Sequence, residues 1–289
     1  MNVAILTDTN SGITVEEGKR NGIFVIPMPV IINEENYLEG VNITNRQLYE
    51  NMKQGNSISS SQPSPGIVME TWESILQDGY DGLVYIPMSS GLSNSCHNAI
   101  QLALDYDEKV QVVDNHRISV TLRESVLDAK HLADCGFSAK EIKEKLESHA
   151  YDASIYITVN TLEYLRKGGR ITPAAAALAT VLNVKPVLTI QGGKLDSFAK
   201  VRGMKQSEKK MIEAIRSDIE NRFQNIPAAQ LRLATAGTFE NNEDAKNWRD
   251  AVQSAFPQYD VDYTPLSCSI ACHVGMNAIG IGISRVEMR

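Results

Sequence analysis

Cysteine is scarce, with four residues in a chain of 289: Cys96, Cys135, Cys268 and Cys272. A disulfide framework of the kind that staples small secreted domains is therefore not expected, and a reduced, cytoplasmic protein is. An excess of basic charge is missing too. Lysine plus arginine number 28 against 35 aspartate plus glutamate, a formal charge of -7. That balance argues against nucleic acid as a partner, because such binding relies on basic surface to displace counterions from phosphates. The absence of a helix-turn-helix signal argues against a transcriptional regulator in the same way. No apolar run reaches the ~20 residues that a membrane-spanning helix requires. The longest candidate, Ala174 to Val181, is soon interrupted by Lys185 and Pro186. An apolar strand starts at Val3 with no charged leader and no cleavage site, so no signal peptide is expected.

Several chemical fingerprints fail as well. Gly192-Gly193-Lys194 lacks the upstream glycine spacing of a phosphate-binding loop and reads as a hairpin turn. Gly280-Ile281-Gly282 lies inside an apolar strand, with no third glycine and no following helix, so it is no dinucleotide fingerprint. Cys268, Cys272 and His273 are local neighbours, but a structural zinc site wants four ligands. Cys96 and His97, adjacent on a helix, point about 100° apart and make a poor nucleophile and base pair. Small buried cysteines are the simpler reading. No cofactor and no metal are expected.

What is present is the alternation of short apolar runs with helix-length amphipathic segments, which is the pattern of an α/β protein. Val3 to Thr7, Phe24 to Ile31, Leu83 to Met88 and Val110 to Val113 read as strands, the second at an edge because of Pro27 and Pro29. Thr44 and Ser64 read as N-caps of helices, and Ser119 to His149 as two helices broken at Gly136. After about residue 150 the pattern changes. Strand Ser154 to Val159 is followed by a Gly168-Gly169 turn, an alanine-rich helix and a hairpin turning at Gly192-Gly193. Further helices and strands end at Ala278 to Ser284. We expect a three-layer α/β/α parallel-sheet domain over residues 1-157 and an α/β domain with a mixed sheet over 158-289, closely packed because no low-complexity linker separates them.

Two hydroxyl-rich loops carry the chemistry. Ser89-Ser90-Gly91-Leu92-Ser93 follows a buried strand and precedes a helix, the place where open α/β sheets bind ligands. Free helix amides, a close backbone approach at Gly91 and the hydroxyls of Ser90, Ser93 and Ser95 suit an anion there, a carboxylate or a phosphate. Simple capping explains one such serine. A second cluster, Ser57, Ser59, Ser60 and Ser61, also ends at a helix N-terminus and is positioned to converge with the first. His273, ahead of Val274-Gly275 and the last strand, is a candidate donor to the same carboxylate. Asp8 and Asp114 follow strands and read as turn caps or hydroxyl orienters. With no base evident beside the loop, a binding protein is favoured over the alternative, an enzyme acting on a phosphorylated sugar or an acyl phosphate.

The ordered set Thr7-Asp8, Ser60-Ser61-Gln62-Pro63-Ser64, Ser89-Ser90-Gly91-Leu92-Ser93 and Val113-Asp114 resembles the DegV family. So do Leu162-Glu163-Tyr164-Leu165-Arg166-Lys167-Gly168-Gly169-Arg170-Ile171, Lys185-Pro186-Val187-Leu188, Lys200-Val201-Arg202 and His273-Val274-Gly275 with Gly280. The resemblance implies a DegV-like fold with a long-chain fatty acid held between two domains, its carboxylate bound by Ser60 and Ser93, with Ser61, Gly91 and His273 nearby. It implies a non-catalytic carrier for phospholipid metabolism that presents the acyl group to a fatty acid kinase subunit, with Arg202 at the kinase contact and transient contact with a membrane surface. The sequence departs from the family at Ser60, where threonine is usual, and at Thr9-Asn10, Asn94-Ser95 and Met276-Asn277. The hydroxyl at Ser60 is kept, so these changes bear on the tail and not on the headgroup.

Overall fold

The first strand is buried along its whole length, and its apolar side chains divide by parity, Val3 and Ile5 to one face, Ala4 and Leu6 to the other. A strand covered on both faces requires a layer of helices on each. The computed structural model describes residues 2–177 and 184–287. Among these the strands are β1 (Val3–Asp8), β2 (Ile23–Ile26), β3 (Pro29–Ile32), β4 (Glu35–Leu38), β5 (Ile58–Ser60), β6 (Gly82–Ile86) and β7 (Val110–Val112), then β8 (Ala153–Thr158), β9 (Val184–Ile190), β10 (Asp196–Arg202), β11 (Leu231–Gly237), β12 (Val261–Pro265) and β13 (Ile279–Arg285). Strands β2-β1-β6-β7 form a parallel sheet in that order. The helices Ser119–Asp134 and Ala139–Ser148 cover one face through Leu122, Val126, Ile142 and Leu146. The helices Pro65–Gln77 and Ser95–Ala103 cover the other through Val68, Trp72, Cys96 and Ala99. The caps read from sequence are in place: Thr44 closes a capping box with Gln47, and the Ser64 hydroxyl accepts from the Ile67 amide.

Phe24 to Ile31, expected as one strand, is two. Strand β2 ends at Ile26 in the parallel sheet, and β3 belongs to a separate antiparallel sheet of order β4-β3-β5. Pro27 has no N–H to give to a ladder, so the chain leaves the first sheet there. The freed Met28 amide donates to the Thr9 hydroxyl instead.

The second sheet has the order β10-β9-β8-β13-β11-β12, antiparallel throughout except for β11 with β12. Its outer face packs Tyr156, Ile279, Ile281 and Ile283 against the helices Met204–Glu220 and Asn242–Ala255. Its inner face packs Ile157, Val159, Leu188, Ile190, Ala234 and Ala236 against Leu92, Ile118 and Val120 of the first domain. The expected division at 157/158 falls inside β8, all of whose pairing lies within the mixed sheet; we propose the domain limit just before Ala153. Of the expected alanine-rich helix the described part is Pro173–Ala176, and residues 178–183 lie outside the described residues. Among the described residues no helix is long and apolar enough to cross a membrane.

Candidate functional site

The serine loop after β6 has its hydroxyls committed in different directions. Ser89 Oγ donates to the Gly192 carbonyl at 2.8 Å, tying the loop to the β9–β10 hairpin of the second domain. The Ser90 amide donates to Asp114 Oδ1, and the Ser90 hydroxyl lies 3.4 Å from His116 Nδ1. Ser95 Oγ is buried with no partner among the described residues. Only Ser93 of this group lines the cavity between the domains, and its hydroxyl also accepts from the Ser95 amide. Gly91 has a structural use. A Cβ there would stand 2.7 Å from Gly193 Cα and closer still to the Gly192 oxygen, so the hairpin backbone approaches the Cα of Gly91 directly. Asp8 and Asp114 act as turn caps: Asp8 accepts from the Asn10 and Met88 amides, and burial pushes its carboxyl up to about 6.

Ser60 and Ser61, at the end of β5, reach the same cavity from the other side. Ser60 Oγ lies 2.9 Å from His273 Nε2. The other ring nitrogen, Nδ1, is buried with no partner among the described residues, and it faces the Cα of Gly168 closely enough that a Cβ there would collide with it. A ring nitrogen set against a C–H is better left as the bare lone pair, since a buried N–H without an acceptor costs the full desolvation penalty. The proton therefore belongs on Nε2, which donates to Ser60 and leaves the Ser60 hydroxyl hydrogen free to point into the cavity. Burial, with the Arg170 charge adding to it, pulls the His273 pKa down to about 4, so the ring is neutral at pH 7.

Arg170 is the residue that sequence reasoning missed. Neutral hydroxyls and a helix end were sufficient for an anion in that reading, yet a half-buried guanidinium lines the cavity beside them. Arg170 Nε donates to the Leu92 carbonyl at 3.2 Å and Nη1 to the Gly168 carbonyl, and it forms no ion pair among the described residues. The signal was a lone basic residue between a glycine turn and the apolar Ile171. Asn10 and Glu39 were missed as well. Glu39 accepts from the Thr9 hydroxyl at 2.7 Å and from the Cys268 amide, and so caps the helix Cys268–Val274 that carries His273. Burial raises the Glu39 carboxyl to about 7. Asn10 Oδ1 accepts from Ser267 and Ser269 of the same helix end. These bonds fix His273 from the first domain, although the helix belongs to the second.

Away from Ser60, Ser61, Ser93, Arg170 and His273 the cavity is walled mainly by apolar side chains, among them Ile118, Val120, Ile155, Ile157, Ile190, Leu195 and Ile270. The non-atom space among these residues, open solvent at the mouth included, is about 880 Å³. Arg202 is not among the lining residues; it is exposed on the edge strand β10.

Fold and cavity together define an α/β protein with a parallel and a mixed sheet and a largely apolar chamber between them, lined also by hydroxyls, an imidazole and a guanidinium. A family model described as "Uncharacterised protein, DegV family" matches residues 2–286. A DegV domain-containing protein of Deinococcus radiodurans is 32% identical over 284 residues, covering 98% of each chain. The chain belongs to the DegV family. Among solved structures, a DegV family protein from Thermus thermophilus described by its fatty acid binding superposes with a TM-score of 0.88 at 26% identity, over 99% of this chain and 100% of the other. DegV of Bacillus subtilis, described as a fatty acid binding protein, gives 0.85 at 26% identity over 99% of each chain.

Proposed function

We propose that the protein binds a long-chain fatty acid between its two domains and presents the carboxylate to a fatty acid kinase for acyl-phosphate formation. One observation carries the reading: a largely apolar chamber is lined also by a guanidinium with no carboxylate partner among the described residues and by the hydroxyls of Ser60, Ser61 and Ser93. An amphiphile with one small anionic head satisfies both kinds of lining. The tail supplies most of the binding energy, ~0.8 kcal/mol per buried methylene and so roughly 10 kcal/mol gross, of which ordering and association consume a large part. The head then needs only charge complementarity and a few hydrogen bonds. The fatty-acid binding of the Thermus and Bacillus proteins supports the same ligand.

An enzyme acting on a phosphorylated sugar or an acyl phosphate is the weaker reading. Among the described residues lining the cavity, the ionisable side chains are Arg170 and His273, and an imidazole held near pKa 4 is a poor base at pH 7. We place the protein in the cytoplasm, where it contacts membrane surface transiently to collect or deliver its lipid.

Native mass spectrometry of the purified protein, followed by organic extraction, tests the ligand. A bound fatty acid, or uptake of added oleate at one per chain, is the expected result; a protein that carries no lipid and takes up none refutes the proposal. For the partner, Arg202→Glu is expected to lower acyl-phosphate formation by an ATP-dependent fatty acid kinase while lipid occupancy stays constant. Unchanged phosphorylation would remove Arg202 from that contact.

A further inference from the structure

Strand β13 is central in its sheet, between β8 and β11, and carries two glycines on one face, Gly280 and Gly282. Glycine in a strand interior weakens it and has nothing to pack, so each needs a reason. Gly282 has one within the protein. A Cβ there would stand 2.7 Å from Val120 Cγ2 and 3.2 Å from Thr121 Cγ2, so the helix Ser119–Asp134 seats directly on the bare backbone. Gly280 has no such neighbour. The nearest atoms to a Cβ there would be Tyr156 O at 3.5 Å and Ile157 side-chain atoms at 3.8 Å, ordinary van der Waals contacts. Its register partners on the same face are Ile157 and Ala236, and all three line the chamber. The protein's own packing leaves room for a side chain that the sequence does not supply.

We propose that Gly280 is the floor of the acyl chamber and sets the longest chain the protein accepts, an inference that rests on the fatty-acid reading above. The open strip over Gly280 and Ala236 is the part of the inner sheet face where a tail can lie against backbone. The strip stops where Val120 covers Gly282. A side chain grown from Gly280 enters that strip without disturbing the strand, and at close-packed density a leucine displaces about four methylenes of ligand.

The test compares the affinities of myristate and stearate for the parent protein, Gly280→Ala and Gly280→Leu, by displacement of a fluorescent fatty acid. Each methylene contributes about fourfold in affinity, so Gly280→Ala should lower the stearate-to-myristate ratio by about that factor. Gly280→Leu should lower it by tenfold or more on the same scale, with myristate affinity changed by less than about threefold. Should the leucine variant fail to fold, the alanine variant decides alone, since its Cβ meets nothing closer than 3.5 Å. An unchanged ratio in the folded variants, or an equal loss for both acids, overturns the assignment of Gly280. A parent protein that binds neither acid instead sinks the fatty-acid reading itself, so the two failures are separable.

Discussion

Gly168 gives the sharpest test of how the head end is built. It closes the helix Glu163–Gly168, while the turn itself is made by Gly169 at φ +68°, so Gly168 is not required for the backbone path. Its role is clearance. A Cβ at 168 would fall 2.9 Å from His273 Cε1, 3.4 Å from Cγ and nearest of all to Nδ1. Contacts under about 3.4 Å to carbon are repulsive, so in Gly168→Ala the ring must retreat by roughly 1 Å. The bond from Nε2 to Ser60 is 2.9 Å long and lies on the far side of the ring from Gly168, so a shift of that size presses Nε2 into Ser60 or turns it out of line, and the bond is lost. Losing one such bond costs about 1 kcal/mol net, and overpacking adds about 1–3 kcal/mol. We expect Gly168→Ala to lower the urea midpoint by the corresponding amount with an unchanged slope, and to weaken fatty-acid affinity about fivefold, as one hydrogen bond would. The decisive comparison is the double variant. With His273→Ala the obstructing ring is gone, and Gly168→Ala should then cost less than about 0.5 kcal/mol. If the alanine is as damaging in that background as in the parent, the clash is not with His273 and the reasoning fails.

Three further outcomes follow from the same geometry. Ser93→Ala should release lipid faster while melting within about 2 °C of the parent, because it removes one exposed-end hydroxyl and a single amide acceptor; unchanged lipid occupancy in native mass spectra would deny Ser93 a headgroup role. Gly91→Ala should destabilise by about 1–3 kcal/mol in urea unfolding, since its Cβ meets hairpin backbone and not a movable side-chain end; a neutral effect would show that the serine loop and the hairpin are not tightly docked. Acidification offers the last. The His273 pKa is about 4 folded against 6.5 in an unperturbed chain, so between these values the unfolded state binds the extra proton and stability falls as pH falls. Asp8 and Glu39, raised to about 6 and about 7, act in the opposite direction, their contribution growing as pH falls and being lost as pH rises. The His273→Gln variant should therefore lose less stability than the parent between pH 6.5 and pH 4; parallel stability profiles would mean that the ring is already protonated in the fold.

The fold was legible wherever a local rule acts on neighbouring residues. Caps at Thr44 and Ser64 announced their helices because the hydroxyl and the amide it binds are three residues apart. The buried strands were readable as unbroken apolar runs. The prolines mark an edge strand, as β2 is, but that the chain also leaves one sheet for another at Pro27 has no local signal, so Phe24 to Ile31 reads as one strand and is two. At the site, residue chemistry was visible and its destination was not. Four serines between 89 and 95 look alike in sequence, yet one binds a hairpin, one faces a histidine, one is sealed in the interior and one lines the chamber. Arg170 stood in plain view within a motif, but its partner Leu92 is 78 residues away, and Glu39 meets Cys268 across 229.

The glycines are the extreme case. Gly91, Gly168 and Gly280 work through an atom they lack, and what that missing atom would meet is set by elements distant in sequence: the hairpin at Gly192, the ring of His273, and the chamber wall beside Ile157. A turn glycine declares itself through neighbours that need positive φ, as Gly169 does, whereas a clearance glycine has no local signature at all. Sequence reasoning therefore assigns both members of Gly168-Gly169 to the turn and takes Gly91 as a ligand's backbone contact. The substitutions argued above separate the two kinds by measurement. Replacing a turn glycine strains its own backbone whatever surrounds it, while the cost of replacing a clearance glycine disappears once the group it makes way for is removed.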